Sequence, residues 1–212
     1  MYVPKGLSNA WGWDTSETLD TAKAKTLAAL GFKFGVRYVT NGSSPPSITA
    51  AELDALTSTG QGIMLVQFAR KSGWSADTGH ADGVTAAHAA LAIGYPPGAC
   101  LWFDLNPCSA DVAIAYCNAW YQGAVSGGMY GSALGGYFEP GVQLTSSQLY
   151  NNLTIARYWR SGGQVPNVDH RGYQLVQAWP GNTIVAPGIV IDYDMSQPDF
   201  LGSAPVAAFK GT

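Results

Sequence analysis

Apolar and β-branched residues gather in short runs at Ala10–Trp13, Phe34–Val39, Ile63–Phe68, Ala99–Leu105, Gly128–Gly131, Ile155–Trp159, Tyr173–Gln177 and Ile189–Tyr193. Runs of this length, bounded by turn-forming residues, predict strands. Between the first five lie segments of helical character, Leu19–Leu30, Ala50–Thr59, Gly83–Ile93 and Ala110–Ala124. A strand followed by a helix, repeated, predicts parallel βαβ units, because a parallel neighbour is reached only by a long crossover.

Boundary residues agree with this reading. Thr49 followed by Glu52 has the form of a capping box, and Gly31, Gly60 and Gly94 stand where helices should stop. After Trp159 the strand runs are joined by Gly- and Pro-containing stretches with little helical periodicity. Strands buried on both faces read as unbroken apolar runs, as Ile63-Met64-Leu65-Val66 and Ile189-Val190-Ile191 do. The expected fold class is α/β: a single TIM-like (β/α) barrel, one domain over residues 1–212, with an incomplete helical ring in the C-terminal part. An open doubly wound sheet is the alternative, and it lacks the Gly-rich nucleotide loop after the first strand.

Composition narrows the chemistry. Of the 212 residues, 47% are hydrophobic and only 12% charged, which indicates a globular chain with few positions given to a charged surface. A net charge of -3 offers no field for phosphates, so nucleic acid is not an expected partner. No stretch is long and apolar enough for a membrane span. Met1 to Asn9 shows no leader, so action outside the cell, at the cell wall or after phage delivery, would depend on a removed leader, phage lysis or a virion. Cys100, Cys108 and Cys117 have no metal-ligand spacing and read as structural thiols, with a Cys108 to Cys117 bridge as the alternative. His80, His88 and His170 form no zinc motif and read as surface or capping residues. No metal and no cofactor is expected.

Polar groups follow the apolar runs. Asp14 comes after the first, Arg37 and Tyr38 close the second, Gln67 the third and Asp104 the fourth; Tyr130, Trp159, Gln177 and the pair Asp192 and Asp194 continue the series. In a barrel, strand ends converge on one face, where active sites lie. A lone aspartate after a strand is commonly an N-cap or turn former, and for Asp14 and Asp194 that reading stands beside the functional one. Arg37 is expected to neutralise the carboxylates and tune their pKa. Tyr38, Tyr130, Trp159 and Trp179 have the ring faces on which sugars stack, while carboxylates and amides bind sugar hydroxyls. Glycoside cleavage uses a protonated and an ionised carboxyl, and Asp14, Asp104, Asp192 and Asp194 can supply them.

Gly12-Trp13-Asp14-Thr15-Ser16, Gly35-Val36-Arg37-Tyr38, Leu101-Trp102-Phe103-Asp104-Leu105-Asn106, Met129-Tyr130-Gly131-Ser132 and Val190-Ile191-Asp192-Tyr193-Asp194 occur in this order. Together they resemble the glycoside-hydrolase-like bacterial domain related to the family 25 lysozymes, over nearly the whole chain. The resemblance implies a barrel with an acidic cleft, peptidoglycan as the glycan, and cleavage between N-acetylmuramic acid and N-acetylglucosamine. It places Asp14, Asp104 and Asp192 on the catalytic positions. It breaks at position 106, where the lysozymes carry the glutamate that serves as general acid and this chain has Asn106. An amide cannot donate that proton at neutral pH. Three outcomes follow: Asp104 is the acid, raised by Asp192 and Asp194; a carboxylate and Asn106 orient the sugar's own N-acetyl group; or the cleft binds glycan without cutting it. Hydrolysis of peptidoglycan is the expectation. A carbohydrate-binding module or a structural protein of a virion or envelope on the same barrel is the alternative.

Overall fold

Residues 1–4, 6–39, 46–68 and 70–211 are described by a computed structural model, the side chains of Trp179 and Pro180 excepted. The apolar runs close into a barrel whose strands follow chain order: β1 (Ala10–Thr15), β2 (Phe34–Val39), β3 (Gly62–Gln67), β4 (Leu101–Leu105), β5 (Leu134–Phe138), β6 (Arg157–Arg160), β7 (Leu175–Ala186) and β8 (Ile189–Ser196). Successive strands from β1 to β7 pair in parallel, which leaves no place for the open doubly wound alternative. The closing strand β8 is antiparallel to both β7 and β1, because the two-residue turn at Pro187 and Gly188 returns the chain directly.

Helices α1 (Thr21–Ala29), α2 (Ala50–Thr57), α3 (Ala76–Ala92) and α4 (Ala110–Ser126) cover the wall, and a short α5 (Ser146–Asn151) follows β5. Gly31, Gly60 and Gly94 stand just beyond the first three helices with positive φ, a conformation glycine adopts without strain. The Thr49 hydroxyl accepts the Glu52 amide as expected, but the Glu52 carboxylate does not return to the cap: it accepts the Leu19 amide and pairs with Arg37. Helix α3 starts at Ala76 rather than Gly83, on a capping box of Ser75 and Thr78. Gly79 and Gly83 read as breakers in isolation. Both face α4, where an added Cβ would lie 2.4 Å from the Tyr116 carbonyl oxygen and 2.2 Å from that of Trp120.

The fifth strand is displaced from the Gly128–Gly131 run. That segment terminates α4, with Gly128 at φ +105° and the Met129 amide on the Ala124 carbonyl. The strand lies further on, and its Gly135 and Gly136 are required because the rings of Trp102 and Phe103 occupy the space a Cβ would take.

Side chains alternate across the wall. Phe34, Val36, Met64, Val66, Trp102, Trp159 and Leu175 fill the barrel interior, while Ile63, Leu65, Leu101, Phe103, Leu105 and Phe138 join the core beneath the helices. One end of the barrel is plugged. Ile63 and Ala208 exchange backbone hydrogen bonds at 2.8 Å, the Cys100 amide binds the Val206 carbonyl at 2.7 Å, and Ala207 enters the interior cluster. The opposite end is the mouth. The three cysteines are free thiols and the three histidines are exposed. Among the described residues no helix is long and apolar enough to cross a membrane.

Candidate active site

Inward positions at the end of β1, early in β7 and midway along β8 bring three acids and an amide together. Asp14 and Asp192 are direct partners across the β1–β8 ladder. The Gln177 side-chain amide donates to both, at 2.9 Å to Asp14 Oδ2 and 3.0 Å to Asp192 Oδ2. Its oxygen accepts the Tyr137 hydroxyl at 2.9 Å and the Gly162 amide at 3.3 Å. With donors on one side and acceptors on the other, the orientation of this amide is determined. Asp192 Oδ1 also takes the backbone amide of Asn182.

Asp194 lies one step deeper, opposite Gly12 and Gln177. Its Oδ1 accepts the Trp159 indole N–H at 3.0 Å, and it shares a hydrogen bond with Asp14. Two carboxyls in contact cannot both be ionised, so the pair holds a proton. Burial, and then the charge of Asp192, push Asp14 from 3.8 to about 7, against the hydrogen bonds from Gln177 and Asp194. Burial and then the charge of Asp14 push Asp194 well above the ordinary carboxylate range.

The other side of the mouth is built by β2, β4 and β5. Asp104 stands in register with Tyr137. Burial and nearby carboxylates raise the phenols of Tyr38 and Tyr137, which therefore stay protonated as hydrogen-bond donors. Beyond β5, inward alternation through Gly135 and Tyr137 brings Glu139 to the rim, beside Asn106 on β4. Burial raises the Glu139 pKa, and the polar Asn106 amide opposes the rise. Trp159 lies beneath, with ring centroids 4.2 Å from Tyr137 and 6.0 Å from Trp102. The part of the cleft bounded by Asp14, Glu17, Tyr38, Asn182 and Asp192 has a volume of about 240 Å³. A larger apolar groove of about 740 Å³, between Trp11, Phe32, Ile184 and Tyr193, lies apart from these carboxyls.

The mouth thus gathers Asp14, Tyr38, Asp104, Asn106, Trp159, Gln177, Asp192 and Asp194 from the expected set, with Trp159 as floor rather than rim. Three other expectations are corrected. Arg37 lies between the inward Val36 and Tyr38 and so points out of the barrel. There it binds Glu52 Oε1 at 2.7 Å and the Thr15 carbonyl at 2.8 Å, so it pairs with Glu52 rather than with the cleft acids. Gln67 likewise faces outward and accepts the Trp120 indole N–H of α4. Tyr130 is 61% exposed and its amide binds the Pro97 carbonyl, away from the mouth, because the segment containing it closes α4 rather than forming β5. The Trp179 side chain lies outside the described residues. Sequence reasoning missed Tyr137 and Glu139 for the same displaced strand; the polar end of Leu-Gly-Gly-Tyr-Phe-Glu was the available signal. Among the described residues no group of acids, histidines or cysteines is arranged to hold a metal ion.

A closed eight-stranded barrel with carboxyls, phenols and amides at one end defines the glycoside-hydrolase-like class. Within it, the chain belongs to the Rv2525c-like, glycoside hydrolase-like domain family, matched over residues 25–195. No curated protein matches it in sequence. The structure is similar to that of the Mycobacterium tuberculosis Tat-secreted protein Rv2525c, solved with L-tartrate: TM-score 0.69, 15% identity, covering 91% of this chain and 100% of that one. The muramidase of Acremonium alcalophilum follows at TM-score 0.59 and 16% identity, covering 90% and 94%. A family 25 glycosyl hydrolase from Bacillus anthracis has TM-score 0.57 and 15% identity, covering 89% of each chain. At such identities the likeness is one of fold.

Proposed function

We propose that this barrel, acting as one domain outside the cell or at its wall, binds peptidoglycan glycan in its mouth and hydrolyses its glycosidic bonds. The observation that carries this reading is the Asp14, Gln177 and Asp192 cluster across the mouth from Asp104, above a floor of Tyr137 and Trp159. Rings and fixed carboxylates on one concave surface match the apolar faces and hydroxyls of a sugar. In this reading Asp104 is the ionised group that stabilises positive charge at the sugar C1. Asp14, Asp192 and Gln177 hold hydroxyl or acetamido groups, and Tyr38, Tyr137 and Asn106 complete the hydrogen bonding. The muramidase and family 25 folds support the substrate class, and the secreted Rv2525c supports the location.

Asn106, standing where the related lysozymes carry their acid, favours a second reading, that of a binding module on the same scaffold. The test is release of reducing ends from purified peptidoglycan. The native protein is expected to release them, and Asp104→Asn, nearly equal in size, to lose at least a hundredfold in rate while remaining folded. Binding without release by the native protein would establish the second reading instead.

A further inference from the structure

We infer that Glu139 is the proton donor of this cleft, supplying from the end of β5 the carboxyl that position 106 on β4 lacks. The inference rests on the hydrolytic reading above and names the group that reading leaves open.

Three observations place the carboxyl. The β4–β5 ladder runs through Asp104 with Tyr137 and Leu105 with Phe138, and the Glu139 amide then binds the Leu105 carbonyl at 3.2 Å. Asn106 and Glu139 are therefore adjacent on neighbouring strands, and the Asn106 amide favours the carboxylate form of Glu139. Gly135, Tyr137 and Glu139 share one face of the chain by alternation, and that face is inward, since a Cβ at Gly135 would meet the interior Trp102 ring; the Glu139 side chain therefore leaves the backbone on the cleft side of the wall. Neighbouring strands are about 4.8 Å apart and same-face residues about 6.6 Å apart along a strand, so the Asp104 and Glu139 backbones stand about 8 Å apart on the diagonal. Both side chains therefore enter the mouth from neighbouring strands, one residue pair apart, where they can face one bound sugar.

The remaining acids fit the donor role less well. The proton on Asp14 and Asp194 is held between two buried carboxyls, and Asp14 is further bound by Gln177. Asp192 accepts from Gln177 and from the Asn182 amide. Glu139 is half-buried, so its carboxyl is desolvated enough to favour the neutral acid and open enough to meet a substrate oxygen.

The step balances. The C1–O bond breaks with its electron pair on the leaving oxygen, which takes the Glu139 proton, while the Asp104 carboxylate faces the positive charge at C1. A water oxygen then bonds to C1 and its proton returns to Glu139, so one water is consumed for each bond cut.

The experiment compares peptidoglycan fragments with an aryl chito-oligoside whose phenolate leaves without protonation, using the native protein and Glu139→Gln. The variant is expected to lose about 10²–10⁴-fold in kcat/KM on the fragments and under tenfold on the aryl glycoside. Equal activity of variant and native protein on the fragments would remove Glu139 from the mechanism and leave the hydrolytic reading standing. Turnover of neither substrate by the native protein would overturn both. Asn106→Ala provides a second measurement that does not require Glu139→Gln to fold. Loss of the amide that stabilises the Glu139 carboxylate, with Tyr38, Asp104 and Tyr137 unchanged around it, moves the alkaline limb of the pH profile upward. An unmoved limb would overturn the assignment.

Discussion

At the scale of single residues, Arg37 shows how far one strand position matters. With 0% of the Arg37 side chain and 3% of the Glu52 side chain exposed, the ion pair is fully desolvated. Removing one partner leaves a buried charge, so Arg37→Met is expected to cost about 3–5 kcal/mol in urea unfolding, and a double variant with Glu52→Leu to recover part of that loss. Additive losses would show that the two side chains do not act as a pair. The Asp14 and Asp194 pair has a different signature. The folded state keeps Asp14 protonated up to about pH 7, whereas its ordinary pKa is 3.8. Between those values the folded protein binds the extra proton, so stability is highest below the lower one and falls as pH rises through the higher one. The melting temperature should therefore drop from pH 5 to pH 8, and Asp194→Asn should flatten the dependence. Asp14 and Asp194 were both legible as candidates, but their shared proton was not, because their contact joins opposite ends of the chain.

At the scale of elements, the α3 and α4 contact is made by backbone against backbone. Gly123 approaches the His80 carbonyl oxygen so closely that an added Cβ would lie 2.1 Å away, and Gly83 meets α4 in the same manner. Gly83→Ala gains helix propensity yet must force the helices apart, and the second effect is the larger, at about 1–3 kcal/mol or more. A lower melting temperature with unchanged helical circular dichroism is the expected result. Helical stretches were legible from spacing and caps, as were most strands. The start of α3 and the position of β5 were not, since in both cases glycines that read as punctuation are there to admit a neighbouring backbone or ring.

For the whole molecule, the C-terminal segment decides which end of the barrel can be a site. Val206 and Ala208 bind Cys100 and Ile63, and Val206 and Ala207 pack in the interior cluster with Met64 and Trp102. Ending the chain at Ala204 would uncover that apolar floor and leave backbone groups of Ile63 and Cys100 without their partners. The truncated protein is expected to lose cooperative unfolding and to bind a hydrophobic dye, measured beside the full chain. Closure by an antiparallel β8 has a second consequence. Asp192 enters the mouth from the first half of its strand, whereas the acids of β1 and β4 enter near the ends of theirs.

The sequence by itself determined the barrel class, most of its strands, the helix stops at Gly31, Gly60 and Gly94, and the candidacy of Asp14, Asp104, Asp192 and Asp194, because those depend on local periodicity and on the conformations a residue permits. Tertiary structure decided the rest. Side chains on a strand alternate between two environments, so whether Arg37 and Gln67 face the mouth or the helices depends on register, and the displacement of β5 to Leu134–Phe138 exchanged Tyr130 for Tyr137 and Glu139. The partnerships of Asp14 with Asp194 and of Asn106 with Glu139 exist only once the barrel closes, since no spacing along the chain encodes which strands become neighbours.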